Sequence, residues 1–131
     1  MSVAADPTGN LYVTSSFSPG PCEPQQGRVF SMSAPDWTPS TLASFQGLFL
    51  SWLSTDTLGN VYGTEQFLGA GHGNVFKLTC CWTYTDLHDF TNSPDGADPA
   101  ASPVVDAQGN IYGTTAGGGT FGFGTVWKIS Q

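Results

Sequence analysis

Short runs of β-branched and aromatic residues alternate along this chain with clusters of Gly, Asn, Asp and Pro. The runs come in pairs: Val3 to Ala5 before Leu11 to Thr14, Trp52 to Thr55 before Val61 to Thr64, and Val104 to Val105 before Ile111 to Thr115. A strand buried on one face alternates apolar and polar positions. Here Leu11 and Tyr12, Val61 and Tyr62, and Ile111 and Tyr112 are adjacent, so both faces of that strand carry a large apolar side chain. The pattern predicts sheets covered on both sides. Third strands are predicted near Arg28 to Met32, Asn74 to Leu78 and Thr125 to Ile129. In the second of these, Val75 and Lys77 share one face, and Phe76 and Leu78 the other. A fourth strand is predicted to open at Trp37 and at Trp82, where the pattern W-T-x-x-x-L-x-x-F begins.

These elements recur. D-P-T-G-N-L-Y-V-T at Asp6 to Thr14 returns as D-T-L-G-N-V-Y-G-T at Asp56 to Thr64 and as D-A-Q-G-N-I-Y-G-T at Asp106 to Thr114, a period of 50 residues. G-R-V-F-S-M-S from Gly27, G-N-V-F-K-L-T from Gly73 and G-T-V-W-K-I-S from Gly124 follow in register. In D-x-x-G-N the Asp carboxylate can accept from backbone N–H groups just ahead of it, and the Gly can take the positive φ that a tight hairpin requires.

Four short antiparallel strands per 50 residues is the size of one propeller blade. The expected fold is all-β: a β-propeller-like fragment of about three four-stranded antiparallel blades, at about 1–47, 48–97 and 98–131. The third blade lacks its outer strand. A closed propeller typically takes four or more blades, so a longer parent chain or association between copies is expected to cover the end blades. One of each pair Leu11/Tyr12 and Ile111/Tyr112, with Val126 or Trp127, should face outward.

Composition narrows the class. Lys+Arg is 3 and Asp+Glu is 10, a net charge of −7. That excludes a nucleic-acid binder, which needs a basic face to displace counterions from phosphate, and it disfavours anionic membrane surfaces. Gly is 17 and Pro 9, while strong helix formers are scarce. No targeting segment is visible at Met1. The longest apolar stretch, Leu48 to Leu53, is interrupted by Ser51, so no membrane insertion by this segment is expected.

Candidate chemistry is thin. The Gly-rich strings at Gly69 to Gly73 and Gly117 to Gly124 join strand to strand with no Lys-Ser/Thr pair, so they read as loops rather than phosphate cradles. Asp6, Asp56 and Asp106 recur once per repeat, as turn formers do. Asp95 and Asp98, in S-P-D-G-A-D-P, are candidate Ca²⁺ ligands without a third anchor. His72 and His88 have no nucleophile or carboxylate partner nearby in sequence, and His88 fills the slot of Ala43. Trp127 stands where Phe30 and Phe76 stand, in the core. Trp37 and Trp82 have two readings, blade packing or stacking on a sugar ring. Cys22, Cys80 and Cys81 make neither a disulfide framework nor a zinc set. They read as buried or half-buried thiols whose redox state the spacing leaves open. No cofactor and no catalytic residue is expected.

The run from Leu87 to Ser130 resembles the bacterial GloVer tandem repeat, written F-x-G-x-x-D-G-A-x-P, then D-x-x-G-N-L-Y-G-T-T-x-x-G-G, then G-T-V-F-K-L. The third repeat fits almost throughout. The second fits from Asp56 to Phe90 but has E-Q-F-L-G-A-G-H-G as its linker. The first has Tyr12-Val13-Thr14 for Tyr-Gly-Thr and a longer loop at Pro19 to Gln26, and D-G-A-x-P occurs once, at Asp95 to Pro99. More distantly the repeats resemble the NHL type, whose members mostly bind protein, RNA or sugar. The resemblance implies a module of an exported or surface bacterial protein, serving interaction or adhesion, with an unidentified protein or glycan, further repeats or a second copy as partner. A glycan- or small-molecule-binding, lectin-like propeller is the alternative, ahead of a propeller hydrolase or lyase.

Overall fold

The computed structural model describes residues 1–17, 26–46, 50–66, 71–79 and 82–131, the side chains of 46, 50 and 51 apart. Cys22, Cys80 and Cys81, and Gly69 and Ala70 of the first Gly-rich string, lie outside the described residues. Three separate antiparallel sheets follow one another along the chain. Sheet 1 holds β1 (Val3–Ala5), β2 (Leu11–Phe17), β3 (Gln26–Met32) and β4 (Ser40–Gln46) in that order. Sheet 2 repeats the order with β5 (Leu50–Thr55), β6 (Val61–Glu65), β7 (Asn74–Leu78) and β8 (Tyr84–Asp89). Sheet 3 holds β9 (Ala97–Pro99), β10 (Val104–Val105), β11 (Ile111–Gly117) and β12 (Val126–Ile129). No described residue is helical, and the three blade-like sheets fit a propeller-like fragment.

Sheet 3 reaches four strands differently from the others. Both β9 and β10 pair with β11, at Pro99↔Thr115 and at Val105↔Ile111, so they are one inner strand in two pieces. The interruption runs through Ala100 to Pro103, where the proline has no N–H to give a ladder. Among the described residues nothing pairs with the far side of β12, whereas β3 and β7 hold β4 and β8 there. The fourth strands begin later than the sequence pattern predicts. Trp37 and Trp82 stand ahead of them at φ 53° and 58°, and their N–H groups close turns onto the carbonyls of Ser33 and Thr79.

The sheets stack face to face. Each has a leading face toward the sheet before it and a trailing face toward the sheet after it. The trailing residues Tyr12 and Val29 of sheet 1 meet Leu53, Val61, Phe76 and Leu78 on the leading face of sheet 2 in one buried cluster. Phe45 adds ring contacts to Phe76 at 5.6 Å and Tyr84 at 5.5 Å. Between sheets 2 and 3, Tyr62 and Val75 are buried on one side and Ile111 on the other. The Phe90 and Trp127 rings lie 5.8 Å apart across this second seam. Every described residue of β6 is buried, whereas β2 and β11 are buried on one face only. That difference is what a middle sheet and two end sheets must show.

The Gly of Tyr-Gly-Thr has a packing reason. A Cβ at Gly63 would overlap the Phe76 ring, and one at Gly113 would overlap the Trp127 ring. Each glycine lies opposite that aromatic in the neighbouring strand and leaves room for the ring to lie flat under the preceding sheet. In sheet 1 the same slots hold Val13 and Phe30, on a face with no preceding sheet.

Candidate functional site

The D-x-x-G-N-x-Y motif builds the same polar knot three times. Asp56 Oδ1 accepts from the N–H groups of Leu58 and Asn60, while Oδ2 accepts from Asn60 Nδ2 and from the Tyr62 hydroxyl at 3.0 Å. Asp6 and Asp106 accept from the corresponding residues. Gly9, Gly59 and Gly109 take φ of 91°, 80° and 84°, as the turn demands. Burial works to raise the Asp6 carboxyl, but donors from Thr8, Asn10 and Tyr12 outweigh it and hold it far below the carboxylate range. Burial first, then the hydrogen bond to Asp6 and its charge, push the Tyr12 hydroxyl up to about 12.

The inner strands bring the three turns together. Ala5, Asp6 and Pro7, Thr55, Asp56 and Thr57, and Val105, Asp106 and Ala107 surround a cleft of about 480 Å³. The Thr55 hydroxyl donates to the Ala5 carbonyl at 2.8 Å and ties two of the turns. The cleft walls are backbone and small side chains, because the carboxylate oxygens are already engaged inside their own turns. Beside it a second cleft of about 270 Å³ lies between Pro7, Thr8 and Tyr12 of sheet 1 and Leu58, Gly59 and Trp82 of sheet 2, with Asp6 common to both.

Trp82 therefore does two things. Its ring packs 5.8 Å from Tyr12 across the seam, and it lines the second cleft. Trp37 holds the same slot in sheet 1, has no sheet before it, and is exposed. Trp127 is half-buried over Gly113.

Asp95 is consumed locally. It accepts from Thr91 Oγ1 at 2.6 Å and from the Thr91 N–H, and it meets His88 Nε2 at 2.9 Å. Burial works against ionisation, yet the Thr91 and His88 bonds hold its carboxyl below the usual range. The carboxylate partner of His88 is thus seven residues ahead, across a turn. Asp98 contributes its backbone, its N–H donating to the His72 carbonyl across the second seam. Among the described residues no group of three or more His, Cys, Asp or Glu is placed to hold a metal.

The second Gly-rich string is a loop from β11 to β12, as expected. It folds onto the Asp95 turn: Gly119 N–H donates to Asn92 O, and Thr125 Oγ1 to Asp95 O. At its tip Phe121 and Phe123 are exposed. Glu65 went unmarked in the sequence. It is fully buried on the leading face of sheet 2, and Oε2 finds no partner among the described residues. Burial, with the Asp86 charge added, pushes its carboxyl up to about 8.

The two outer faces expose apolar side chains. Val3 is 62% exposed, whereas Leu53 in the same repeat slot is 4% exposed. Val126 is 84% exposed, whereas Val29 and Val75 in its slot are both 0%. Leu11, Val13, Phe30 and Met32 are half-buried on the leading face of sheet 1, and Tyr112 and Val104 share the trailing face of sheet 3 with Val126. Ile111, as eligible as Tyr112 by sequence, points inward and is buried.

Residues 1–131 match the family described as the Gloeobacter/Verrucomicrobia repeat. No curated protein matches the chain.

Proposed function

The chain belongs to the Gloeobacter/Verrucomicrobia repeat family over residues 1–131, and from that premise we propose that it is a non-catalytic repeat module of an exported or surface bacterial protein, acting in interaction or adhesion. The observation that carries this reading is the pair of outer faces. Apolar positions that the middle sheet covers completely are left open at Val3 and Val126. Contiguous exposed apolar surface of this kind marks an interaction site. The repeated carboxylates support a structural role, since each is saturated by donors of its own turn. Among the described residues no helix is long and apolar enough to cross a membrane.

Beads coated with the chain and held under flow test this. Retention on surfaces coated with glycan or extracellular protein, lost with a Val3→Lys/Val126→Lys double variant, is the expected result. Equal retention of both bead types, or none above bare beads, contradicts the reading. A glycan-binding alternative is favoured by one observation, the half-buried Trp82 ring beside Thr57 in the smaller cleft. An aromatic face stacks on the apolar face of a sugar ring while hydroxyl and backbone groups take its polar edge. A glycan array probed with the wild type and with Trp82→Ala separates the two: no Trp82-dependent signal removes this alternative.

A further inference from the structure

Resting on the interaction reading, we propose that the occupant of each outer face is a second copy of this chain, seated head to tail: the trailing face of sheet 3 in one copy covers the leading face of sheet 1 in the next.

The chain itself supplies the template, because it makes this interface twice internally. At both seams a Tyr-x-Thr face meets a face bearing a branched residue, a third-strand aromatic and a further large apolar side chain. Tyr12 and Val29 meet Val61, Phe76 and Leu78 in one buried cluster; at the second seam Tyr62, Thr64 and Val75 are buried on one side and Ile111 on the other, with Trp127 against Phe90. The two outer faces are the two halves of a third such seam. Sheet 3 presents Tyr112, Thr114 and Val126, and sheet 1 presents Leu11, Phe30 and Met32. Side-chain type thus recurs in these slots within the one sequence, with one exception: Val13 stands where Gly63 and Gly113 leave room for the aromatic ring.

The cations on the two faces do not meet in this pairing. They are Lys128, which lies over the Tyr112 ring, and Arg28, which lies over the Phe17 ring. Lys128 stands opposite Tyr112, near the Asp-turn end of its strand, while Arg28 stands opposite Ser15, three repeat slots further along. At about 3.3 Å per residue that is ~10 Å of separation, roughly a Debye length in physiological salt. Two different surfaces meet at this seam, so the contact is heterologous. Each added copy leaves one face of each kind open unless the stack closes on itself.

Heterologous pairing makes a prediction that like-face pairing does not. Val3 and Val126 are both exposed, so Lys at either position leaves the fold intact, which circular dichroism and thermal melting check. In sedimentation velocity over low to high micromolar protein, the wild type is expected to associate with rising concentration. Val3→Lys alone and Val126→Lys alone should each remain monomeric. A 1:1 mixture of the two should form a dimer and nothing larger, at least tenfold tighter than either variant alone, because one sound seam is regenerated. A wild type that stays monomeric at high micromolar concentration overturns the proposal. So does a single variant that associates as the wild type does, or a mixture no heavier than its components. A monomeric wild type whose beads are still retained under flow would remove the second copy as occupant and leave the interaction reading standing. Association without bead retention would do the reverse.

Discussion

Replacing Glu65 by Gln should change how stability depends on pH. Glu65 lies on the leading face of sheet 2, fully buried. Its carboxyl is raised from 4.5 to about 8 by burial first and by Asp86 second. Burial, followed by the charges of Glu65, Asp86 and Asp89, pushes the nearby Tyr84 hydroxyl up to about 12. In the unfolded chain Glu65 loses its proton near pH 4.5, whereas the folded chain holds it to about pH 8. Folding therefore takes up a proton across that window, and wild-type stability should fall as pH rises from about 4.5 to about 8 before levelling off. A shift of three to four units at about 1.4 kcal/mol each sets a ceiling of ~5 kcal/mol, comparable with the whole stability of a small domain. Gln imitates the protonated acid, so at pH 5 the variant should lie within about 1 kcal/mol of the wild type. At pH 8.5 it should be more stable by a few kcal/mol. Urea unfolding followed by Trp fluorescence, at low micromolar protein, reads both values. Below pH 4 both proteins should weaken together, because Asp6, Asp56 and Asp95 are held below their ordinary values. A wild-type-to-variant difference that is the same at pH 5 and pH 8.5 would refute the reasoning.

Gly63→Ala should destabilise by about 1–3 kcal/mol or more, because the new methyl group meets the Phe76 ring inside a closed seam. Thermal melting would check it, and an unchanged melting temperature would show that the ring has room to move. Gly59→Ala and Gly109→Ala should each cost about 1 kcal/mol through their positive φ alone, since neither Cβ position is crowded. Equal melting temperatures for these variants and the wild type would count against the turn assignment.

The Asp turns and the strands after them were legible because their determinants are local. Asp6 and Asn10, or Asp56 and Asn60, sit four residues apart, and the hydrogen bonds that join them need nothing from the rest of the fold. The stacking of sheets was legible from adjacent large residues such as Val61 and Tyr62, which a one-sided sheet does not tolerate. What sequence could not say is which member of an end pair faces out, since Ile111 and Tyr112 differ only in which side has a neighbour. Glu65 was invisible for a related reason: its repeat slots hold Ser15 and Thr115, and its burial comes from the sheet stacked on it. The positive φ of Trp37 and Trp82 and the inner strand at Ala97–Pro99 also escaped notice. The first depends on a turn closed by backbone, and the second is too short and too polar to read as a strand. The partner of His88 escaped because Asp95 reaches it only through the fold of the intervening turn.

Hydroxyl-radical footprinting with residue-level mass spectrometry tests the central claim most directly, namely that equivalent slots are covered in the middle sheet and open at the ends. Phe30 and Met32 should be oxidised in a dilute sample, whereas Phe76 and Leu78, buried in the same slots, should be protected. Tyr112 should likewise react ahead of Tyr62. Raising the concentration should protect Phe30, Met32 and Tyr112 together and leave the middle sheet unchanged. Equal protection of all three repeats in the dilute monomer, or oxidation of Phe76 at the rate of Phe30, would contradict the account.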